Sequence, residues 1–213
     1  MIALFVHGMG RSPLSGWPML HQLRRAGMET TTFGYSTALK DFAAIKSRLI
    51  RKITDIAARG EYIVIGHSLG GVLLRAALNE LPAAVRPPRH VFLLGSPVKP
   101  SRLAKRLQKN ILFRGLTGDS GRLLASEKRM GRIGAPQVAT TGIAGVRGLK
   151  SRHSPFGEEP NDGIVALAET DAVWLADKIQ VPVVHTLLPA SSKVADIIIN
   201  KVSQVVGSDQ AGG

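Results

Sequence analysis

Continuous apolar runs and apolar stripes of helical period follow one another along the chain. "IALFV" (2–6) predicts a first strand, "GWPMLHQLRRAG" a helix ending at Gly27, and the β-branched "METTTFGY" a second strand. Over 40–59, Phe42, Ile45, Leu49, Ile53 and Ile56 recur at spacings of 3 and 4, which is one face of an amphipathic helix that Gly60 stops. "YIVIG" (62–66) is a continuous apolar strand, the pattern of a strand covered on both faces. A helix over 69–80, the strand "HVFLLGS", the helix "SRLAKRLQKN" and the strands "QVATTGIAG" and "KIQVPVVH" come next. A last helix spans 191–206 with Val194, Ile197, Ile198, Val202 and Val205 inward, and "SDQAGG" (208–213) reads as a flexible tail. Strands alternating with helices predict an α/β fold of about six mostly parallel strands with helices on both faces. No repeat, low-complexity block or linker divides the chain, so 1–207 is expected to form one domain. Two stretches break the pattern: 110–134, rich in glycine and arginine, and the polar, Gly/Pro-punctuated 145–159. The region 110–160 is therefore expected to be an irregular basic loop or lid.

Charge sharpens this picture. The formal net charge is +13 in 213 residues, and between Lys99 and Arg152 thirteen lysines and arginines face only Asp119 and Glu127, a local balance of +11. Such a segment can serve as a solvated surface or attract an anionic membrane face or an acidic substrate. No aromatic interleaving or nucleic-acid motif accompanies it, so nucleic acid is an unlikely partner on this reading. There are no cysteines, which removes disulfides, thiolate metal sites and a cysteine nucleophile. No apolar run approaches the ~20 residues that span a bilayer. "IALFV" has no charged segment before it and is too short for a signal sequence, so a cytoplasmic location is the default expectation.

The stretch richest in chemistry is "GHSLGG" (66–71), between a predicted strand and a predicted helix. A serine hydroxyl is a weak nucleophile that becomes useful when exposed at a sharp turn beside a general base. Gly66 and Gly70 flank Ser68 at two-residue distance, where a tight turn and a close strand–helix crossing leave no room for side chains. The helix starting at Leu69 aims its unpaired N–H groups at any anion forming near Ser68, and the Leu69 N–H is then one oxyanion donor. "HGMG" (7–10) ends the first strand, where α/β sheets form ligand sites, and the Met9 N–H supplies the second donor. His7 competes for the role of base but fits better as an imidazole that braces this loop.

An elbow serine of this kind takes its acid and then its base from later in the chain. Of the six histidines only His90, His153 and His185 follow Ser68. His90 opens a strand, at the wrong end. His153 lies in the polar loop just before Glu158, Glu159 and Asp162. His185 closes the strand "IQVPVV" at its carboxyl end, ahead of the last helix. For the acid, the turn signature "NDG" puts Asp162 on a loop upstream of His185. Glu169 is a rival, and Asp171 and Asp177 also lie in the interval. "NDG" lacks the ligand count for Ca²⁺, so no metal and no organic cofactor are expected.

"VHGMG", "GHSLGG", "LGSP", "NDGIV" with "ET" soon after, and "VVHTLLPASSKV" together resemble the lipase and carboxylesterase branch of the α/β-hydrolase superfamily, in particular its small bacterial members with little cap. The matching pieces run from Val6 to Val194. The resemblance implies an α/β-hydrolase fold with a Ser68–Asp162–His185 triad and oxyanion donors at Met9 and Leu69. The chain starts at the strand before the oxyanion loop, without the two antiparallel strands that open larger members. The implied activity is hydrolysis of a small-molecule or lipid ester through an acyl-enzyme. A thioesterase or acyltransferase would share the same triad. A basic module that only binds membrane or nucleic acid on this fold is the non-catalytic alternative.

Overall fold

The computed structural model describes residues 1–210 except Leu39 and His153. Its centre is a six-stranded sheet of β1 (Ile2–Val6), β2 (Glu29–Phe33), β3 (Tyr62–His67), β4 (Val91–Leu94), β5 (Thr140–Gly145) and β6 (Asp177–Val181). The spatial order is β2-β1-β3-β4-β5-β6, and every neighbouring pair is parallel. The expectation of about six mostly parallel strands holds, with no antiparallel member. Strands β1 and β3 are buried along their whole length, as their uninterrupted apolar sequences require.

Helices α1 (Trp17–Arg25) and α8 (Ser192–Gln210) share one face of the sheet, where Met19, Leu20, Leu23, Val194, Ala195 and Ile198 pack on Phe5, Ile63, Ile65 and Phe92. Helices α2 (Phe42–Arg59) and α3 (Leu69–Leu78) cover the other, with the predicted stripe of α2 buried against Leu4, Val6 and Val64. Asp41 caps α2 by accepting the Ala44 N–H at 2.7 Å. Because β1 connects outward to β2 and the chain returns to β3 on the other side of β1, the order reverses between β1 and β3. The crevice at their carboxyl ends is the place where such sheets hold ligands. His7–Gly10 and Ser68 sit there.

Three expectations need correction. The stretch 110–134 is largely helical: α4 (Arg102–Leu107) leads into α5 (Ile111–Ala125) and α6 (Glu127–Gly131). Asn110 caps α5 through the Phe113 N–H at 3.0 Å and Ser126 caps α6 through the Arg129 N–H at 3.2 Å. The glycines hid this helix from a propensity reading. One is a close-packing site, since a Cβ at Gly121 would meet Thr117 Oγ1 at 2.1 Å, and another, Gly118, carries a kink at φ 52°. The strand before His185 ends at Val181, because Pro182 has no N–H to continue the ladder; a short helix α7 (Leu167–Thr170) and a 3₁₀ turn (His185–Ala190) were not anticipated. The helix α8 continues through Gln210, so the first part of the expected tail is helical, and 211–213 lie outside the described residues. Beyond the end of β5 at Gly145, the described residues of 146–159 form no regular element other than an isolated bridge between Ser151 and Gly157.

One buried cation has no sequence signature. Arg75 of α3 is 2% exposed; it donates to the carbonyls of Ile133 (2.5 Å) and Gly134 (3.2 Å) and lies over the Trp174 ring. Burial lowers its pKa to about 10, so it stays charged and ties α3 to the segment entering β5.

Where α3 crosses β3 and β1, backbone packs directly on backbone. A Cβ at Gly66 would stand 2.4 Å from the Gly71 Cα, and one at Gly70 would stand 2.2 Å from the Val6 carbonyl oxygen. Backbone cannot yield as a flexible side chain can. Gly66→Ala is therefore expected to destabilise the protein by about 1–3 kcal/mol or more in urea unfolding. Gly115→Ala, at a helical position where an added Cβ meets nothing, is expected to be neutral or stabilising by up to about 1 kcal/mol.

Candidate active site

Ser68 is the one non-glycine with a positive φ among the described residues, at φ 54° and ψ −123°. Such a backbone costs on the order of 1–3 kcal/mol and persists only where its surroundings hold it. Here the Ser68 N–H donates to the Leu94 carbonyl at 2.9 Å, which pins the elbow to β4. The neighbouring glycines permit the helix to leave at once. The side chain is only partly buried, in contrast to His67 and Leu69 on either side.

The loop after β1 closes on this serine. A Cβ at Gly8 would lie 3.1 Å from Ser68 Cβ and 3.0 Å from His67 Nδ1, so a larger residue would crowd the serine and push the loop back by a few tenths of an ångström. The Met9 N–H has no partner among the described residues, and the Leu69 N–H, first in α3, has none within its helix. His7 braces the loop from outside. Its Nδ1–H donates to the Gly8 carbonyl at 2.8 Å, its Nε2 accepts the Tyr35 N–H at 3.3 Å, and the two rings stack at 4.3 Å. Both ring nitrogens are engaged and burial lowers its pKa, which leaves His7 no free site to serve as a base.

The candidate acid and base lie beyond the neighbouring strand ends, after β5 and β6. The His185 Nδ1–H donates to Asp162 Oδ2 at 2.7 Å, and the His185 N–H to the Asp162 carbonyl at 2.9 Å. The other carboxylate oxygen, Oδ1, accepts the N–H groups of Ile164 (3.0 Å) and Val165 (2.7 Å). Asp162 is thus fixed by its own turn, and it fixes the imidazole tautomer with Nε2 left as an acceptor. Glycines again line the contact: a Cβ at Gly95 would stand 3.0 Å from both Asp162 Oδ2 and His185 Nδ1, and one at Gly145 would stand 2.9 Å from Asp162 Cβ. Among the described residues no hydrogen bond joins Ser68 Oγ to the imidazole; His67, next to the serine in the chain, bridges the two segments. Its Nε2–H donates to the His185 carbonyl at 3.0 Å and its ring lies 4.7 Å from the His185 ring.

The rival residues are occupied elsewhere. Glu169 is buried, but its oxygens accept the N–H groups of Ala166 (2.7 Å) and Arg102 (2.6 Å), so it caps a turn and holds α4. Asp171 pairs with Lys178, and Asp177 with Lys201 and Thr141. His90 lies at the far end of β4 and hydrogen-bonds Thr141 Oγ1 at 2.8 Å. His153 lies outside the described residues. Two features escaped sequence reasoning. His67 was read only as part of the elbow, although its contact with the His185 backbone joins both halves of the site. Arg11, just beyond the HGMG loop, donates to the Thr186 carbonyl at 3.3 Å and brings a cation to the rim.

A family model described as the alpha/beta hydrolase family matches residues 3–195. No curated protein matches by sequence. Among solved structures, the mature form of a Bacillus licheniformis lipase superposes with a TM-score of 0.75 at 19% identity, covering 94% of this chain and 90% of its own. A methylesterase from Arabidopsis gives 0.64 at 14% identity, over 95% and 99%. The RedJ thioesterase of Streptomyces coelicolor gives 0.59 at 11% identity, over 96% and 90%. At these identities the likeness is one of fold.

Burial keeps two of the imidazoles neutral. It lowers the pKa of His67 well below the ordinary range, with the neighbouring His185 adding to the effect, and lowers that of His90 to about 4. In the unfolded chain both titrate near ~6.5. Between these values the unfolded state binds protons that the folded state does not, so stability falls as pH falls. The urea midpoint is expected to drop steadily from about pH 6.5 towards pH 4, and His90→Asn is expected to flatten that slope. A midpoint independent of pH over this window would contradict the neutral, buried assignment.

Proposed function

Because the chain belongs to the alpha/beta hydrolase family, we propose that it is a serine esterase that cleaves carboxylic esters through an acyl-enzyme. Ser68 Oγ attacks the acyl carbonyl while His185 Nε2 takes its proton. The Met9 and Leu69 N–H groups receive the oxyanion of the tetrahedral intermediate. Collapse breaks the ester bond, and the imidazolium gives its proton to the departing alkoxide. Water then attacks the acyl-enzyme, with His185 again taking a proton, and Ser68 recovers its own as the acid leaves.

The observation that carries this reading is the 2.7 Å contact between His185 Nδ1 and Asp162 Oδ2, in a carboxylate already oriented by two backbone N–H groups. It leaves Nε2 basic and sets up Asp162 to stabilise the imidazolium formed during the reaction. The strained backbone at Ser68 supports the same assignment, since strain of this kind collects where a side chain has to be presented. The lipase and the methylesterase among the similar structures support an ester as substrate.

The test is turnover of p-nitrophenyl esters of short to long acyl chains, run beside an acyl-CoA panel. Ester turnover is expected, and thioester turnover in its place would move the assignment to a thioesterase. Ser68→Ala is expected to lose about 10⁴–10⁶ of kcat without change in stability. Asp162→Asn is expected to lower kcat by orders of magnitude with little change in KM. Glu169→Gln is expected to reduce the urea midpoint and leave kcat of the folded enzyme near wild type. The reverse ranking of Asp162→Asn and Glu169→Gln in kcat would overturn the acid assignment alone.

A further inference from the structure

We propose that the outer face of α5, with the cations beside it, docks this protein on an anionic lipid surface. The helix leaves the carboxyl end of β4 through α4 and reaches the β2–α2 loop. There the Leu116 carbonyl accepts the Thr37 hydroxyl at 2.9 Å and Asp119 Oδ2 accepts the Phe42 N–H at 3.3 Å. In the strand order β2-β1-β3-β4, a path from β4 to the segment after β2 passes along the side of the sheet where β1 and β3 end, the side that holds Met9 and Ser68. Its inner side is buried through Thr117, Ser120, Leu123 and Leu124, whereas its outer side presents Ile111, Leu112 and Leu116 at 82%, 77% and 70% exposure.

A helix face this apolar gains nothing from water. Among the described residues, eight of the ten exposed large apolar side chains lie on segments that leave the carboxyl ends of strands, Leu149 and Leu187 among them, so the exposure is concentrated on the side of the site. Beside Ile111 a cavity of about 390 Å³ is lined by Arg114, Gly115, Gly118 and Arg122. Neither arginine has a carboxylate partner within salt-bridge distance among the described residues, and the nearby Asp119 is already held by Arg129 through both oxygens. Two cations lining a hollow with Gly115, Gly118 and Ile111, on a helix that also exposes Leu112 and Leu116, fit a phosphate headgroup with its chains alongside. A nucleic acid would use the cations but would leave the three aliphatic side chains in water, which makes lipid the better partner. Among the described residues no helix is long and apolar enough to cross a membrane.

The proposal takes the site side of the sheet from the reading above, but its test needs no turnover. Sedimentation of the full-length Ser68→Ala protein with vesicles of phosphatidylcholine, alone or mixed with phosphatidylglycerol, measures docking whatever the enzyme's substrate. Binding is expected to be at least about tenfold tighter to the anionic vesicles and to weaken as salt rises. Replacing Arg114 and Arg122 together by Glu is expected to weaken it by roughly tenfold or more. Replacing Ile111, Leu112 and Leu116 by Ser is expected to cost on the order of 10²-fold while leaving the charge untouched. Unchanged circular dichroism and urea midpoints in these surface variants show that each variant is folded. Equal binding to both vesicle types, binding to neither, or binding that survives both sets of substitutions overturns the proposal. Binding to a DNA duplex with none to anionic vesicles overturns it in favour of nucleic acid.

Discussion

The rest of the site depends on one contact between backbones, where α3 crosses β3 and β1 with nothing but glycine between them. Gly66, Gly70 and Gly71 let the helix begin one residue after Ser68, while the Ser68 N–H is held to β4. The chain reverses there in a conformation that L-residues avoid, so the serine cannot relax into the strand before it or the helix after it. The cost is borne by the burial around it, since β1, β3 and the strand-facing side of α3 are almost wholly sealed. Loosening the crossing would move the serine, the start of α3 and the Gly8 loop together, because each rests against the next.

A second layer of order comes from imidazoles that have no proton to move. His7 spends Nδ1 on the loop beside the serine and Nε2 on the Tyr35 backbone, and His67 uses one nitrogen to hold the His185 segment. Burial keeps both in the neutral form, so neither adds a positive charge next to His185. His185 differs in geometry: its Nδ1 is committed to Asp162 and its Nε2 is free. Three histidines in one crevice thus serve different ends, and their hydrogen bonds rather than their sequence positions separate them.

Much of this was legible in the amino-acid order. The strands were readable because both-face burial leaves uninterrupted apolar runs such as "YIVIG", and α2 because its apolar spacing is purely helical. Chain order pointed to His185, and a turn signature pointed to Asp162, but spacing alone could not separate Asp162 from Glu169. Both are buried carboxylates, and only the partners of their oxygens distinguish them. The helix α5 was missed because its glycines serve packing and a kink, which propensity reads as loop. Arg75 was unreadable for the opposite reason: its acceptors are carbonyls from a distant segment, which leave no trace in side-chain pattern.

The central claim is that Ser68 is the activated nucleophile of this crevice. A fluorophosphonate probe, followed by digestion and mass spectrometry of the labelled peptide, tests it without knowledge of the substrate. The account predicts one adduct per chain, on Ser68, absent when the protein is denatured before the probe is added and formed much more slowly in His185→Ala. No adduct under native conditions, or an adduct on another serine such as Ser96 while Ser68 stays free, would contradict it.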